Sequence, residues 1–120
     1  MSHSIQGKLV TADLWTNFDL NDWPKLREMC EAALDKSNMT VVKVTAHKFV
    51  PQGVTAVWIL AESHMAVHTY PEEGFVAVDV FTCGNEGDPG AVVVELSKQL
   101  AVTHFVVNEA KRGDKMKAYG

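Results

Sequence analysis

The sequence of 120 residues has only two cysteines, fewer basic than acidic residues and no long apolar run. Cys30 and Cys83 are too few for a disulfide framework. The 11 basic and 15 acidic residues give a net charge of −4, which disfavours nucleic acid and anionic membranes as partners. No apolar stretch approaches the roughly 18 residues that a membrane-spanning helix needs. We therefore expect partners that are neither nucleic acid nor membrane.

The amino terminus and the composition are typical of a small cytoplasmic protein. Residues 1–8 lack the charged segment and following apolar segment of a secretory signal, so we expect a cytoplasmic location. Apolar residues make up 47% of the chain and charged residues 22%, which is ordinary for a globular protein. The length suits one domain spanning residues 1–120.

Two segments have the period of amphipathic helices. The first covers about residues 23–36 and follows Asp22, a good helix cap. Cys30 lies on its apolar stripe and is expected in the core. The second begins at Asp88-Pro89 and runs to about residue 100. Its side chains expected to face inward are Val92, Val93, Leu96 and Leu100.

Six segments rich in apolar and β-branched residues are expected to be strands. They cover residues 7–15, 40–50, 54–61, 65–70, 75–82 and 103–107. The nearly continuous apolar run at 54–61 predicts a strand buried on both faces. The polar residues from Lys111 onward are expected to be frayed.

The element pattern predicts an α+β fold. Short turns at 51–53 and 71–74 indicate antiparallel neighbours. Two helices cannot cover both faces of a six-stranded sheet. The predicted architecture is therefore a two-layer α/β sandwich, a mainly antiparallel sheet of about six strands with two helices on one face. The other face needs a cover, which a homodimer packing sheet on sheet would supply.

Residues 62–84 concentrate the reactive side chains of the sequence. Ser63 lacks the Gly-x-Ser-x-Gly elbow of a serine hydrolase. His64 and His68, with Cys83 or Asp79, do not have the spacing of a standard metal site, so we expect no metal. Judged by residue types alone, the favoured interpretation is that these side chains are polar groups satisfied at the end of a sheet.

The order of these residues is more informative than their types. Three segments stand out, Glu62-Ser63-His64, His68-Thr69-Tyr70-Pro71-Glu72 and Asp79-Val80-Phe81-Thr82-Cys83-Gly84. With residues 49–55 and Lys111-Arg112-Gly113, they resemble the prokaryotic, pyruvoyl-dependent S-adenosylmethionine decarboxylase proenzymes. The resemblance covers nearly the whole chain and is densest between about residues 49 and 84.

The resemblance implies an inactive proenzyme that makes its own cofactor. The Ser63 hydroxyl would attack the carbonyl of Glu62 and replace the peptide bond by an ester. Elimination and hydrolysis would then leave a pyruvoyl group at residue 63, with release of ammonia. The products would be a β chain of residues 1–62 and an α chain of residues 63–120. The pyruvoyl group would form a Schiff base with the substrate amine and act as the electron sink, without external cofactor or metal.

The resemblance also implies roles for three residues in proton transfer. His68 would accept the α-proton of Ser63 during processing. Thr55, where many relatives have serine, would support this step through its hydroxyl. Cys83 would return a proton to the substrate after CO2 is lost. The structural alternatives are a satisfied histidine in a sheet for His68 and a buried thiol for Cys83.

Three further residues match positions that contact substrate in the family that the sequence resembles. Phe49 would stack on adenine, and the Glu72 carboxylate would accept hydrogen bonds from the ribose hydroxyls. Tyr70 stands where many relatives have tryptophan. The alternatives are a core aromatic for Phe49 and a solvated turn residue for Glu72.

Strand alternation bears on how these residues meet. If residues 63–70 form one straight strand, Ser63 and His68 point to opposite faces. An active site shared across the interface of a homodimer or higher homo-oligomer would resolve this. One subunit would supply Ser63 and Cys83, and the other would supply Phe49, Thr55, His68 and Glu72.

The expected function is decarboxylation of S-adenosylmethionine, which supplies the aminopropyl donor for spermidine and other polyamines. One alternative is a pyruvoyl decarboxylase of the same fold that acts on ornithine or arginine, which Phe49 and Glu72 disfavour. The other is a non-catalytic homologue, which the presence of Glu62, Ser63, His68 and Cys83 disfavours.

Overall fold

The part of the chain that the structure describes forms six strands and two α-helices, as predicted. The computed structural model describes residues 6–83 and 87–113, so Gly84 of the third motif segment lies outside the described residues. The elements are β1 (Gly7–Trp15), α1 (Trp23–Lys36), β2 (Val41–Lys48), β3 (Val54–Leu60), β4 (Ser63–Tyr70), β5 (Phe75–Cys83), α2 (Pro89–Leu100) and β6 (His104–Arg112). The predicted turn at 71–74 is a short 3-10 helix, Pro71–Glu73, closed by left-handed Gly74.

The strands form one antiparallel sheet in the order β2-β3-β4-β5-β1-β6. The first strand of the chain therefore lies between two strands from its second half. β1 pairs with β5 from Gly7↔Cys83 to Trp15↔Phe75, and with β6 from Gly7↔Arg112 to Trp15↔His104. These pairings fix which side chains share a row across the sheet.

The last strand is longer than predicted. The sequence pattern indicated a strand over 103–107 and frayed residues from Lys111, but β6 continues to Arg112. Because β6 pairs with β1 along its whole length, ladder hydrogen bonds order a polar segment that has no apolar alternation of its own. The prediction for Lys111 and Arg112 was therefore wrong.

Local capping and side-chain periodicity explain both helices. The Asp22 carboxylate accepts a hydrogen bond from the Lys25 amide at 3.1 Å, and the Asp88 carboxylate accepts one from the Gly90 amide at 2.9 Å. Cys30 of α1 is fully buried, as predicted. The four side chains of α2 expected to face inward, Val92, Val93, Leu96 and Leu100, are also buried. Among the described residues, no helix is long and apolar enough to cross a membrane.

Both helices pack on one face of the sheet, and the core lies between the two layers. Val76, Val78 and Val80 of β5 are buried there, while the alternate residues of β5 are only half-buried. The prediction that β3 is buried on both faces was wrong, because Ile59 is 46% exposed. No element among residues 6–83 and 87–113 covers the outer side of β3. We call this side of the sheet the open face.

The two edge strands are the least protected part of the sheet. β2 and β6 are exposed along nearly their whole lengths. Phe105 of β6 lies on the helix side of the sheet yet is 68% exposed, because α2 does not reach over it. The helices therefore shield mainly the four central strands.

Two positions of α2 provide a matched test of this packing. Leu96 is fully buried, whereas Val94 is 53% exposed. We expect Leu96→Ala to lower the free energy of unfolding by about 2–5 kcal/mol, because it leaves a cavity in the core. Val94→Ala should change it by less than about 0.5 kcal/mol. Urea unfolding followed by circular dichroism measures both, and equal effects would contradict the assigned orientation of α2.

Candidate active site

The β3–β4 hairpin carries the predicted cleavage site at its tip. Leu60 pairs with Ser63, so Ala61 and Glu62 form a two-residue turn. Glu62 is exposed and has a φ of 63°, in the left-handed region. A residue with a Cβ is disfavoured there by about 1–2 kcal/mol. The Glu62–Ser63 peptide bond therefore follows a strained residue and is accessible at the end of the sheet.

Ser63 is the first residue of β4 and is half-buried. Its hydroxyl donates a hydrogen bond to the Ala61 carbonyl at 3.3 Å. Ser63 has the parity of Met65 and Val67, which are buried beneath the helices. The serine thus lies at the edge of the helix side, within reach of the turn.

Cys83 lies at the same end of the sheet as Ser63. The neighbouring pair His64↔Phe81 aligns the start of β4 with the end of β5. Cys83 has the parity of Phe81 and Asp79, so it belongs to the open face, and it is half-buried. Ser63 and Cys83 are therefore on adjacent strands at one end of the molecule.

Thr55 and His68 form the second part of the predicted site. They are paired across β3 and β4, and the Thr55 hydroxyl lies 3.0 Å from His68 Nδ1. Both side chains are half-buried on the open face. This hydrogen bond orients the imidazole and leaves Nε2 as the other site for proton transfer.

The predicted substrate-contact residues surround this pair. Phe49 is half-exposed in the connection between β2 and β3. Glu72, in the short helix after β4, accepts a hydrogen bond from the side-chain amide of Gln52 in the same connection. The Tyr70 ring stacks on Phe75 at 5.5 Å, and Phe75 lies 5.1 Å from Trp15. An exposed aromatic surface thus adjoins Thr55 and His68.

His47 also belongs to this group, although the sequence did not suggest it. It pairs with Thr55 across β2 and β3, and its ring lies 4.6 Å from that of Phe49. Two histidines therefore flank Thr55 in one row of the open face. The sequence holds no motif for His47, and only the strand register reveals its position.

One chain does not bring the two parts of the site together. Ser63 and His68 are five residues apart on β4, which corresponds to about 17 Å along a strand. They also have opposite parity, as the sequence predicted. Ser63 and Cys83 thus form one group, and Thr55, His68 and the substrate-contact residues form another.

The two cysteines have different environments. Cys30 is fully enclosed in α1, where burial, with a smaller contribution from the charge of Glu31, raises the pKa of its thiol far above the usual range. Cys83 is partly accessible at the end of β5. Within residues 6–83 and 87–113, no group of three or more His, Cys, Asp or Glu side chains is arranged to hold a metal ion.

The fold and these groups define a class of protein. It is a two-layer α+β protein whose sheet carries a serine next to a strained turn at one end, with a thiol and a hydroxyl-bonded histidine on its open face. The family model for S-adenosylmethionine decarboxylase matches residues 8–113 of the chain. The chain therefore belongs to the S-adenosylmethionine decarboxylase family.

Individual relatives agree with this assignment. The chain is 41% identical over 109 residues to an S-adenosylmethionine decarboxylase proenzyme of Methanococcus maripaludis, covering 89% of each sequence. It is 40% identical over 109 residues to the proenzyme of that name from Carboxydothermus hydrogenoformans, covering 89% of this chain and 86% of the relative. The crystal structure of the adenosylmethionine decarboxylase from Aquifex aeolicus superimposes with a TM-score of 0.82 at 29% identity, covering 92% of this chain and 93% of that chain.

The contrast between the two thiols can be measured. We expect iodoacetamide to modify Cys83 at least about a hundredfold faster than Cys30 in the native protein, because the reactive form is an accessible thiolate. Peptide mapping by mass spectrometry follows both sites, and labelling in urea should remove the difference. Equal native rates would contradict the burial assigned to Cys30.

Proposed function

We propose that this chain is a self-processing proenzyme of a pyruvoyl-dependent S-adenosylmethionine decarboxylase. It cuts itself between Glu62 and Ser63 and yields chains of residues 1–62 and 63–120. The observation that carries the proposal is the position of this peptide bond, directly after left-handed Glu62 in an exposed hairpin turn. Cleavage there releases the strain of the turn, and relatives named as proenzymes support processing of this chain.

The surroundings of residue 63 fit a pyruvoyl group. Ser63 begins a strand, so cleavage before it removes no residue from the sheet. β3 and β4 stay paired from Thr55↔His68 to Leu60↔Ser63 on either side of the cut. β1 of the first product also stays between β5 and β6 of the second. When present, the pyruvoyl carbonyl binds the substrate amine and accepts electrons as the carboxylate leaves.

Three side chains serve the proton transfers. His68 accepts the α-proton of Ser63 during processing, and the Thr55 hydroxyl holds its ring at 3.0 Å. Threonine supplies the hydroxyl that many relatives take from serine. Cys83 donates a proton to the substrate carbon after CO2 is lost, and its partial exposure on the open face supports this role.

The substrate is S-adenosylmethionine, and its product serves as aminopropyl donor for polyamine synthesis. Phe49 and Tyr70 offer exposed aromatic faces for adenine, being 50% and 46% exposed. The Glu72 carboxylate accepts hydrogen bonds from the ribose hydroxyls. Ornithine and arginine have no group that needs this aromatic and acidic surface, so they fit the site less well.

The active site is shared between two copies of the chain. Ser63 and His68 of one chain are about 17 Å apart and have opposite parity, which prevents direct proton transfer between them. The open face carries half-exposed apolar residues, including Ile59, that a second sheet would cover. A twofold, face-to-face homodimer brings Cys83 of one copy, and Ser63 at the end of its sheet, to Phe49, Thr55, His68 and Glu72 of the other.

Intact-mass spectrometry tests the proposed processing. The wild-type protein should give two masses, for residues 1–62 and for residues 63–120 with a pyruvoyl group in place of the terminal serine. Ser63→Ala should give one full-length mass, because it has no nucleophile. Ser97→Ala, a serine change on α2, should process like the wild type. A single full-length mass for the wild type would contradict the proposal.

A further inference from the structure

A cavity on the open face is lined by His64, which follows Ser63, and by Gly7, which pairs with Cys83, and it includes none of the residues given roles above. Its volume is about 500 Å3, and its lining includes Gly7, His64, Asp79, Phe81, Arg112 and Gly113. Arg112 and Gly113 belong to the Lys111-Arg112-Gly113 segment, for which the proposed function has no use. His64 directly follows the residue at which the substrate amine is bound.

The floor of the cavity is the Phe81 ring. A Cβ placed on Gly7 would lie only 2.8 Å from this ring and 3.4 Å from the Arg112 Cβ. Phe81 therefore lies over Gly7, with Arg112 next to it. On the other side, the His64 ring is 5.9 Å from the Phe81 ring. A guanidinium and an imidazole thus flank an apolar floor.

The strand register places Arg112 close to the reacting groups. Gly7 pairs with Arg112 on one side and with Cys83 on the other, so the three form one row across β6, β1 and β5. Two strand spacings separate the Cα atoms of Arg112 and Cys83 by about 10 Å. Gly113 has a φ of 80°, a conformation that favours glycine and turns the chain immediately after Arg112.

The charges around the cavity favour one anion at the Arg112 end. Among the described residues of the lining, Arg112 is the only lysine or arginine, and none of the ion pairs between described residues includes it. Its planar guanidinium can bind a carboxylate through two parallel hydrogen bonds. Asp79 lies four residues before Cys83 along β5, a distance of about 13 Å. Its negative charge makes that far end of the cavity unfavourable for a second anion.

We propose that Arg112 binds the α-carboxylate of the substrate, over the Phe81 ring and beside residue 63. The inference rests on the proposed function, since that function supplies a substrate whose carboxylate lies next to the bound amine. This carboxylate loses its negative charge when it leaves as CO2. The ion pair is therefore stronger in the bound substrate than in the transition state, so it favours binding of the intact substrate and does not raise kcat. Arg112 also lets the enzyme prefer its substrate over its decarboxylated product.

Steady-state kinetics of Arg112→Gln test the inference. We expect KM for S-adenosylmethionine to rise roughly tenfold to a hundredfold, the range for loss of a charged hydrogen bond, with kcat not reduced. The inhibition constant of the decarboxylated product should stay unchanged, because this ligand has no carboxylate. Arg112→Lys should recover part of the substrate affinity. The control is Lys111→Gln, which removes the same charge from the opposite face of β6 and should leave KM unchanged.

Calorimetry on the unprocessed Ser63→Ala protein provides a readout independent of turnover. Adding Arg112→Gln should weaken binding of S-adenosylmethionine and leave binding of its decarboxylated product as it was. Equal losses for both ligands, an unchanged KM, or dissociation of dimers on gel filtration would overturn the inference. A wild-type protein that neither cleaves itself nor releases CO2 would instead overturn the proposed function. An active wild type with unchanged KM in Arg112→Gln would overturn only the role of Arg112.

Discussion

The unbroken antiparallel pairing of β4 with its two neighbours is the constraint on which the site depends. β4 pairs without a bulge with β3 and with β5. Its side chains therefore alternate strictly between the helix side and the open face. Ser63 is held at one end of the strand and His68 near the other, and no small rotation of a side chain can join them. The same pairing brings Thr55 to His68 and aligns Ser63 with the end of β5.

The topology of the sheet suits a chain that is to be cut in its middle. The proposed cut after residue 62 separates β1, α1, β2 and β3 from the remaining elements. β1 nevertheless lies between β5 and β6, and β3 lies against β4. Both products therefore contribute to one continuous sheet and one core. The fold can tolerate cleavage at the hairpin turn, because every strand keeps its pairing partners when the turn is cut.

Local signals in the sequence were enough for most of the fold. The helices are determined by local signals, namely the caps at Asp22 and Asp88 and the apolar spacing of α2. Each signal lies within a few residues of the helix that it determines, so the predicted helices agree with the structure. The extent of β6 was missed because it depends on pairing with β1, about a hundred residues away. The exposed side of β3 was missed because an apolar run does not reveal how many helices will cover the sheet.

The sequence suggested residue types for the candidate site but not its geometry. The motif segments pointed to Ser63, His68 and Cys83 as candidates, and strand parity separated Ser63 from His68. The 3.0 Å contact between Thr55 and His68, the position of His47 and the placing of Arg112 beside Cys83 all depend on registers between distant strands. No spacing along the chain encodes such registers, so they emerge only when the sheet is assembled.

In the proposed shared site, His68 of one chain serves Ser63 of another. Its most direct test is intact-mass measurement on isolated heterodimers of a Ser63→Ala chain and a His68→Ala chain that carry different tags. In this heterodimer the His68→Ala chain retains Ser63, and its partner supplies His68. We therefore expect the His68→Ala chain to be cleaved in the heterodimer and to remain whole in its own homodimer. A His68→Ala chain that stays whole in verified heterodimers would contradict the shared site.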